Sequence, residues 1–216
     1  MEAHIQPLCV AMAMKTGRPV KMILSREEDF ETVRARHPYK IRCKTGVKND
    51  GTFVAREVEV LMDGGAYADD SPGVLCYSLL MSLGPYEFPS AKVSGRAAYT
   101  NHLRFAAFRG FGNPQVTLAG ETQIDEIADK LGIDPIELRL KNAKRDGDKW
   151  FGGQKVLSNG LLECLEKVRI SSDWDSRRKL DYGKGVGIAI AAHISGLLAT
   201  GAIVRMLEDG TFVLNT

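Results

Sequence analysis

Between Ala107 and Gln115 the chain reads Ala-Phe-Arg-Gly-Phe-Gly-Asn-Pro-Gln. Arg109 carries the clearest chemical capacity in this stretch. A guanidinium stays charged and presents a rigid fork of N–H donors, which suits an anionic, oxygen-rich or phosphate-bearing ligand. Phe111 adds an aromatic ring two residues later. Gly110 and Gly112, lacking a Cβ, let the backbone approach a ligand closely. Taken alone, the stretch also fits an arginine bound to loop carbonyls and a phenylalanine that fixes the loop to a core. The spacing Gly110-x-Gly112-x-x-Gln115 lacks the third glycine of a dinucleotide fingerprint and is not read as one.

Two helices must anchor this loop. Asn113 is a good N-cap and Pro114 suits the first helical position, where a missing N–H costs nothing. Val116, Gly120, Ile124, Ile127 and Leu131 follow at helical spacing, and Gly132 closes the end. Asp134 and Pro135 start a second helix, with Glu137 placed for a capping box. Upstream, the first residues read as a helix ending at Gly17, and 20–24 as a buried strand. Ser25 and Glu28 pair as a capping box for a short helix. Ile41, Cys43, Thr45 and Val47 alternate with Lys40, Arg42, Lys44 and Lys48, which gives a strand with one apolar and one basic face. Asp50-Gly51 is a two-residue turn signal. The hairpin it implies sets Cys43 opposite Val58, Ile41 opposite Val60, Val47 opposite Val54, Lys44 opposite Glu57 and Arg42 opposite Glu59. Thr45 opposite Arg56 is the poor match. The basic run is thereby a neutralised sheet face, not a phosphate track.

Residues 72–84 fit a short helix or an irregular pocket segment, and 92–99 a strand leading toward the loop. Residues 145–157 suit a surface connection. Ser158 is a candidate cap for a helix whose inner side carries Leu161, Leu162, Leu165 and Val168. Residues 185–193, 201–208 and 211–216 read as β structure, with Asp209-Gly210 as a hairpin turn. The other polar groups are bland. His4, His37, His102 and His193 have no metal-binding spacing, and Glu121, Asp125 and Asp129 form a stripe that fits a solvated helix face.

Composition bounds the class. The chain has 216 residues, 44% hydrophobic and 26% charged, with a net charge of +2; this is an ordinary globular balance without the basic excess of a nucleic-acid binder. No apolar run is long enough to span a membrane, and the start lacks the regions of a signal peptide, so a cytoplasmic location is expected. Cys9, Cys43, Cys76 and Cys164 are widely spaced, so an iron–sulfur cluster or zinc site is not expected, and reduced, buried cysteines are.

The stretch 107–142, continuing as Glu121-Thr-Gln-Ile-Asp-Glu-Ile-Ala-Asp-Lys-Leu-Gly-Ile-Asp-Pro-Ile-Glu-Leu-Arg-Leu-Lys-Asn142, resembles the molybdenum-binding large subunit of the xanthine dehydrogenase and aldehyde oxidase family. Lys15-Thr-Gly-Arg-Pro-Val-Lys21, Ser25-Arg-Glu-Glu-Asp-Phe30 and Asp209-Gly210 fit the same family in the same order. The resemblance implies a mixed α+β fold, its sheets and β-hairpins covered by helices, like a molybdenum-cofactor-binding domain. Residues 1–144 would form the first part of that domain with the loop, and 145–216 a helix and hairpin continuation. It implies molybdopterin as cofactor, bound by Arg109 with Gly110 and Phe108, the last packed inward. Phe111 and Ala107 would form the substrate wall. The parent enzyme would hydroxylate an N-heterocycle or aldehyde with water as oxygen source. Iron–sulfur clusters and usually FAD would sit on other domains or subunits.

Purine hydroxylases of the family carry a substrate-binding arginine near the position of Tyr77, and its absence here makes xanthine doubtful. A second pocket segment aligns loosely with 193–198. Relatives place a glycine-rich cofactor loop before the region of Met1 and a catalytic glutamate beyond that of Thr216. An internal fragment, inactive by itself, is therefore expected. The competing expectation is a scaffold or assembly module that keeps the fold without the chemistry.

Overall fold

The computed structural model describes residues 5–177, 180–196 and 201–215. The chain begins with helix α1 (Gln6–Thr16), ended by Gly17 in the left-handed region at φ 62°. Helix α2 (Arg26–Thr32) carries the expected capping box between Ser25 and Glu28. Residues 20–24 form no strand and are at most half-buried, because no neighbouring strand is there to take their backbone groups.

The central sheet is β1 (Tyr39–Val47), β2 (Phe53–Gly65) and β3 (Ser90–Tyr99), in that order. β1 and β2 pair antiparallel, with Ile41 opposite Val60, Cys43 opposite Val58, Lys44 opposite Glu57 and Arg42 opposite Glu59. The turn differs in detail. Lys48 N donates to Thr52 O, so the loop holds three residues, Asn49 to Gly51. A register shift at Gly46/Val47 then sets Val47 opposite Phe53. The shift compensates for the longer loop, and the rest of the ladder keeps its expected pairs. It also exchanges faces near the turn: Phe53 is buried, while Val54 is 40% exposed. β3 runs parallel to β2, and the crossover between them is helix α3 (Ser71–Met81), which makes the ambiguous 72–84 stretch helical through Met81.

Helices α4 (Asn113–Leu131) and α5 (Pro135–Asn142) follow the loop, and α4 packs on both β1 and α3. Gly132 ends α4 at φ 65° as expected. Asp134 caps α5 by accepting from Ile136 N and Glu137 N. Glu137 does not complete a capping box; its carboxylate pairs with Arg169 instead. Helix α6 (Leu161–Ser171) has Gly160 at its N-cap, and Asn159, not Ser158, accepts from Leu161 N at 3.0 Å. Only Leu165 of its expected inner face is fully buried, and Val168 is 48% exposed. After a short α7 (Trp174–Arg177), residues 185–196 form neither helix nor ladder, where a strand is expected from sequence over 185–193. β4 (Ile203–Met206) and β5 (Phe212–Asn215) form a separate hairpin about Asp209-Gly210.

The core joins β2, α3, α4 and α5 through Phe53, Val58, Val60, Met81, Tyr86, Val116, Ile124 and Leu138. Glu121 departs most from its expected place on a solvated face. It is buried, accepting from Tyr86 Oη at 2.7 Å, from Arg139 Nε and Nη2 at 3.0 and 2.9 Å, and from Ile190 N at 2.8 Å. Burial, with Glu121 adding to it, pushes the Tyr86 hydroxyl well above its usual range. Asp125 stays half-exposed and shares Arg139. The cysteines are free as expected but not buried; Cys76 and Cys164 are exposed.

Candidate functional site

The loop between β3 and α4 turns on three successive left-handed residues: Gly110 at φ 92°, Phe111 at 50° and Gly112 at 88°. Two turns close it, Phe111 N donating to Phe108 O at 2.7 Å and Asn113 N to Gly110 O at 3.0 Å. Gly112 has no room for a side chain. An added Cβ would lie 2.8 Å from Tyr39 Oη and nearer still to Ser78 Oγ. The loop backbone thus rests directly on α3 and the end of β1. Phe111 is the strained member, because a non-glycine residue at positive φ is disfavoured.

α4 starts one residue earlier than expected. Gly112 is its N-cap, and Asn113 is the first helical residue. Asn113 Nδ2 donates to Ala192 O at 2.7 Å, and its Oδ1 accepts from Thr117 Oγ1 at 2.9 Å, so its side chain ties the helix to the 185–196 segment.

Beneath the loop, Arg36 makes three attachments. Nη2 donates to Arg109 O at 2.8 Å, Nη1 to Gln115 Oε1 at 3.3 Å, and the guanidinium lies 4.5 Å from the centre of the Phe108 ring. Gln115 Nε2 in turn donates to His37 O at 3.2 Å. Phe108 does not pack inward; it is 51% exposed, with its ring against the Arg36 guanidinium. Ala107 is exposed too, its N–H 3.4 Å from Asp70 Oδ2. Arg109 projects to solvent, and its guanidinium bonds to none of the described residues. Its backbone N–H and that of Gly110 also donate to none of them. Backbone donors left free on a turn are suited to anionic oxygen.

Phe111 is half-buried and meets Tyr77 edge-on at 5.9 Å; Tyr77 meets the His193 ring at 5.2 Å. Tyr77 Oη is fixed twice, donating to Ile194 O at 3.1 Å and accepting from Ile194 N at 2.9 Å. Burial raises the Tyr77 hydroxyl's pKa, and the hydrogen bond it accepts from the Ile194 backbone works against that. The structure therefore brings the loop, the α3 position flagged by the missing arginine and the first residues of the 193–198 segment into one cluster; residues 197–200 lie outside the described residues. Arg36 gave no sequence signal, since nothing in its spacing ties it to a loop 73 positions away.

His37 is buried with Nε2 2.9 Å from Ser71 Oγ. Burial lowers its pKa, against the raising influence of Asp63, Asp70 and Asp69. His102 Nδ1 lies 2.5 Å from Asp63. Both are satisfied histidines, as expected; His4 lies outside the described residues. No group of three or more metal-ligating side chains occurs among the described residues.

A donor-rich loop beside an aromatic cluster narrows the chemistry without naming it. The family model for the molybdopterin cofactor-binding domain matches residues 1–143. The chain belongs to this family. The nicotinate dehydrogenase large molybdopterin subunit of Eubacterium barkeri is 42% identical over 171 residues, covering 78% of this chain and 40% of that protein. The xanthine dehydrogenase molybdenum-binding subunit of Escherichia coli is 38% identical over 221 aligned residues, covering 95% of this chain and 29% of that protein. Among solved structures, the aldehyde oxidoreductase of Desulfovibrio gigas superposes with a TM-score of 0.79 at 32% identity, covering 100% of this chain and 25% of that one. The chain thus spans less than half the length of these relatives.

Proposed function

We propose that this chain is the part of a molybdenum hydroxylase that presents Arg109, Gly110 and Phe108 to molybdopterin, and Phe111 and Ala107 to substrate. The observation that carries the reading is Arg109: an exposed guanidinium without a described partner, on a loop whose other members are pinned by Arg36, Tyr77 and Asn113. A charged fork left free on a rigid loop fits an anionic pterin ligand better than a structural bond to loop carbonyls. When bound, the cofactor supplies the redox centre for hydroxylation with water-derived oxygen. The residues of this chain hold it, orient the substrate ring or aldehyde and wall off one side.

Tyr77, near the position where purine hydroxylases carry arginine, offers no charge, and its hydroxyl is engaged by Ile194. This favours a neutral N-heterocycle or an aldehyde over xanthine. The remaining segments of the large subunit, and iron–sulfur and FAD domains or subunits that carry electrons away, are the partners this reading requires. A cytoplasmic setting accords with it, as no helix among the described residues is long and apolar enough to cross a membrane. The division near residue 144 belongs to the same proposal and is supported by the family model's extent, which ends at 143.

The test is Arg109→Ala in the complete, partnered subunit made in a host that synthesises the cofactor. Losing a charge-assisted contact lowers molybdenum per subunit by about 10–100-fold. Unchanged molybdenum and turnover would overturn the assignment.

A further inference from the structure

Arg56 takes no part in the loop. It stands on β2 opposite Thr45, yet only 2% of it is exposed. Its guanidinium is held between the Phe88 ring, 5.3 Å from the ring centre, and Gly120 of α4, where an added Cβ would lie 3.0 Å from Nη2. Among the described residues, neither Nε nor Nη2 has a hydrogen-bond partner. These two atoms form one edge of the guanidinium, and their N–H bonds suit a single acceptor. Arg139 shows the edge in use: its Nε and Nη2 grip Glu121 Oε2 at 3.0 and 2.9 Å. A buried cation without such a partner is costly.

A cavity of about 10 Å³ adjoins Arg56, with Ser82, Asn113, Thr117, Gly120 and Glu121 among its walls. That is room for one particle the size of a water molecule or a small ion. The side chains of the wall are already bonded to groups other than Arg56. Glu121 takes Tyr86, Arg139 and Ile190. Ser82 Oγ donates to Leu79 O and Thr117 Oγ1 to Asn113 Oδ1. A water could cap this edge and donate to the hydroxyl oxygens of Ser82 and Thr117, but it would leave the buried positive charge uncompensated. A monoatomic anion accepts from both N–H bonds and neutralises the charge.

We propose that Arg56 and this cavity form a binding site for a single halide ion, joining β2 to the helix that carries the Arg109 loop. The site is independent of the hydroxylase reading. To test it, the chain is exchanged into sodium gluconate, whose anion is too large to enter, and titrated with sodium bromide at constant ionic strength. The melting temperature rises with the logarithm of bromide concentration above Kd, by roughly 5–10 °C at a hundredfold excess. Arg56→Met, close in volume and uncharged, abolishes the response. Wild-type crystals grown in bromide show an anomalous peak within hydrogen-bond distance of Nε and Nη2, a measurement that does not depend on the variant folding. A flat titration, a wild-type crystal without the peak, or a bromide response that survives in Arg56→Met would each overturn the proposal.

Discussion

Replacing Glu121 with Leu tests whether the core is held by one buried carboxylate. The substitution strips the acceptor from four donors at once: Tyr86 Oη, Arg139 Nε and Nη2, and Ile190 N. Arg139 is fully buried, and breaking a buried ion pair costs about 3–5 kcal/mol because the remaining charge is stranded. Asp125, 2.8 Å from Arg139 Nη2, and the Pro135 carbonyl relieve part of this. The Tyr86 and Ile190 donors add about 1–3 kcal/mol each when left unmade. A net loss of about 4 kcal/mol corresponds to a fall of roughly 8–16 °C in melting temperature for a chain of this size. The assay is thermal unfolding with a double-mutant cycle. Arg139→Met added to Glu121→Leu removes the stranded charge and recovers at least half of the loss. A fall under about 2 °C in the single variant, or no recovery in the double, refutes the view of Glu121 as the hub.

Other outcomes follow from the same geometry. Gly112→Ala should cost roughly 2–4 kcal/mol by denaturant unfolding, because the added carbon meets Ser78 and Tyr39 at a left-handed φ; Gly132→Ala, with open space around it, should cost about 1–2 kcal/mol from φ alone. In the complete enzyme, Phe111→Ala should lower kcat/KM for an aromatic substrate by about tenfold while molybdenum content holds, a ring contact contributing about 0.5–1.5 kcal/mol; lost molybdenum would reassign Phe111 to cofactor binding. Burial depresses the folded pKa of His37, so its contribution is complete above the unfolded value of 6.5 and lost as pH falls below it toward the folded pKa. Melting temperature should therefore drop between pH 7.5 and 5.5, and His37→Gln should flatten that part of the profile.

Much of this arrangement was legible in the sequence, because local rules and tertiary packing agree there. The Ser25 and Glu28 box, the Gly17 and Gly132 helix ends and the β1–β2 ladder each rest on contacts within a few residues or on strict alternation. Several failures share one cause, which is a distant partner that overrides a local preference. Asn113 reads as a cap, but Ala192 takes its amide. Glu137 reads as half of a capping box, but Arg169 takes its carboxylate. Glu121 reads as part of an exposed stripe until Arg139, Tyr86 and Ile190 converge on it. The unladdered 185–196 segment has strand-like residues, yet its backbone groups are met by Glu121, Asn113 and Tyr77.

The site divides its residues in a way that makes stability and chemistry separable. Arg36 holds the Arg109 carbonyl and Asn113 ties the helix start to Ala192, while the Arg109 guanidinium bonds to no described residue. Gly112 fixes the loop's path by fitting where no side chain can. An arginine used for structure would be paired, as Arg139 is, and its loss would be felt in unfolding. Arg109→Ala should therefore leave the melting temperature of the isolated chain within about 1 °C, since an exposed, unpaired charge contributes little to folding. Arg36→Ala should do the reverse, loosening the loop in hydrogen exchange before any cofactor is present. A large stability loss in Arg109→Ala would mean that its side chain has a structural partner, and the reason for assigning it to the cofactor would fall with it.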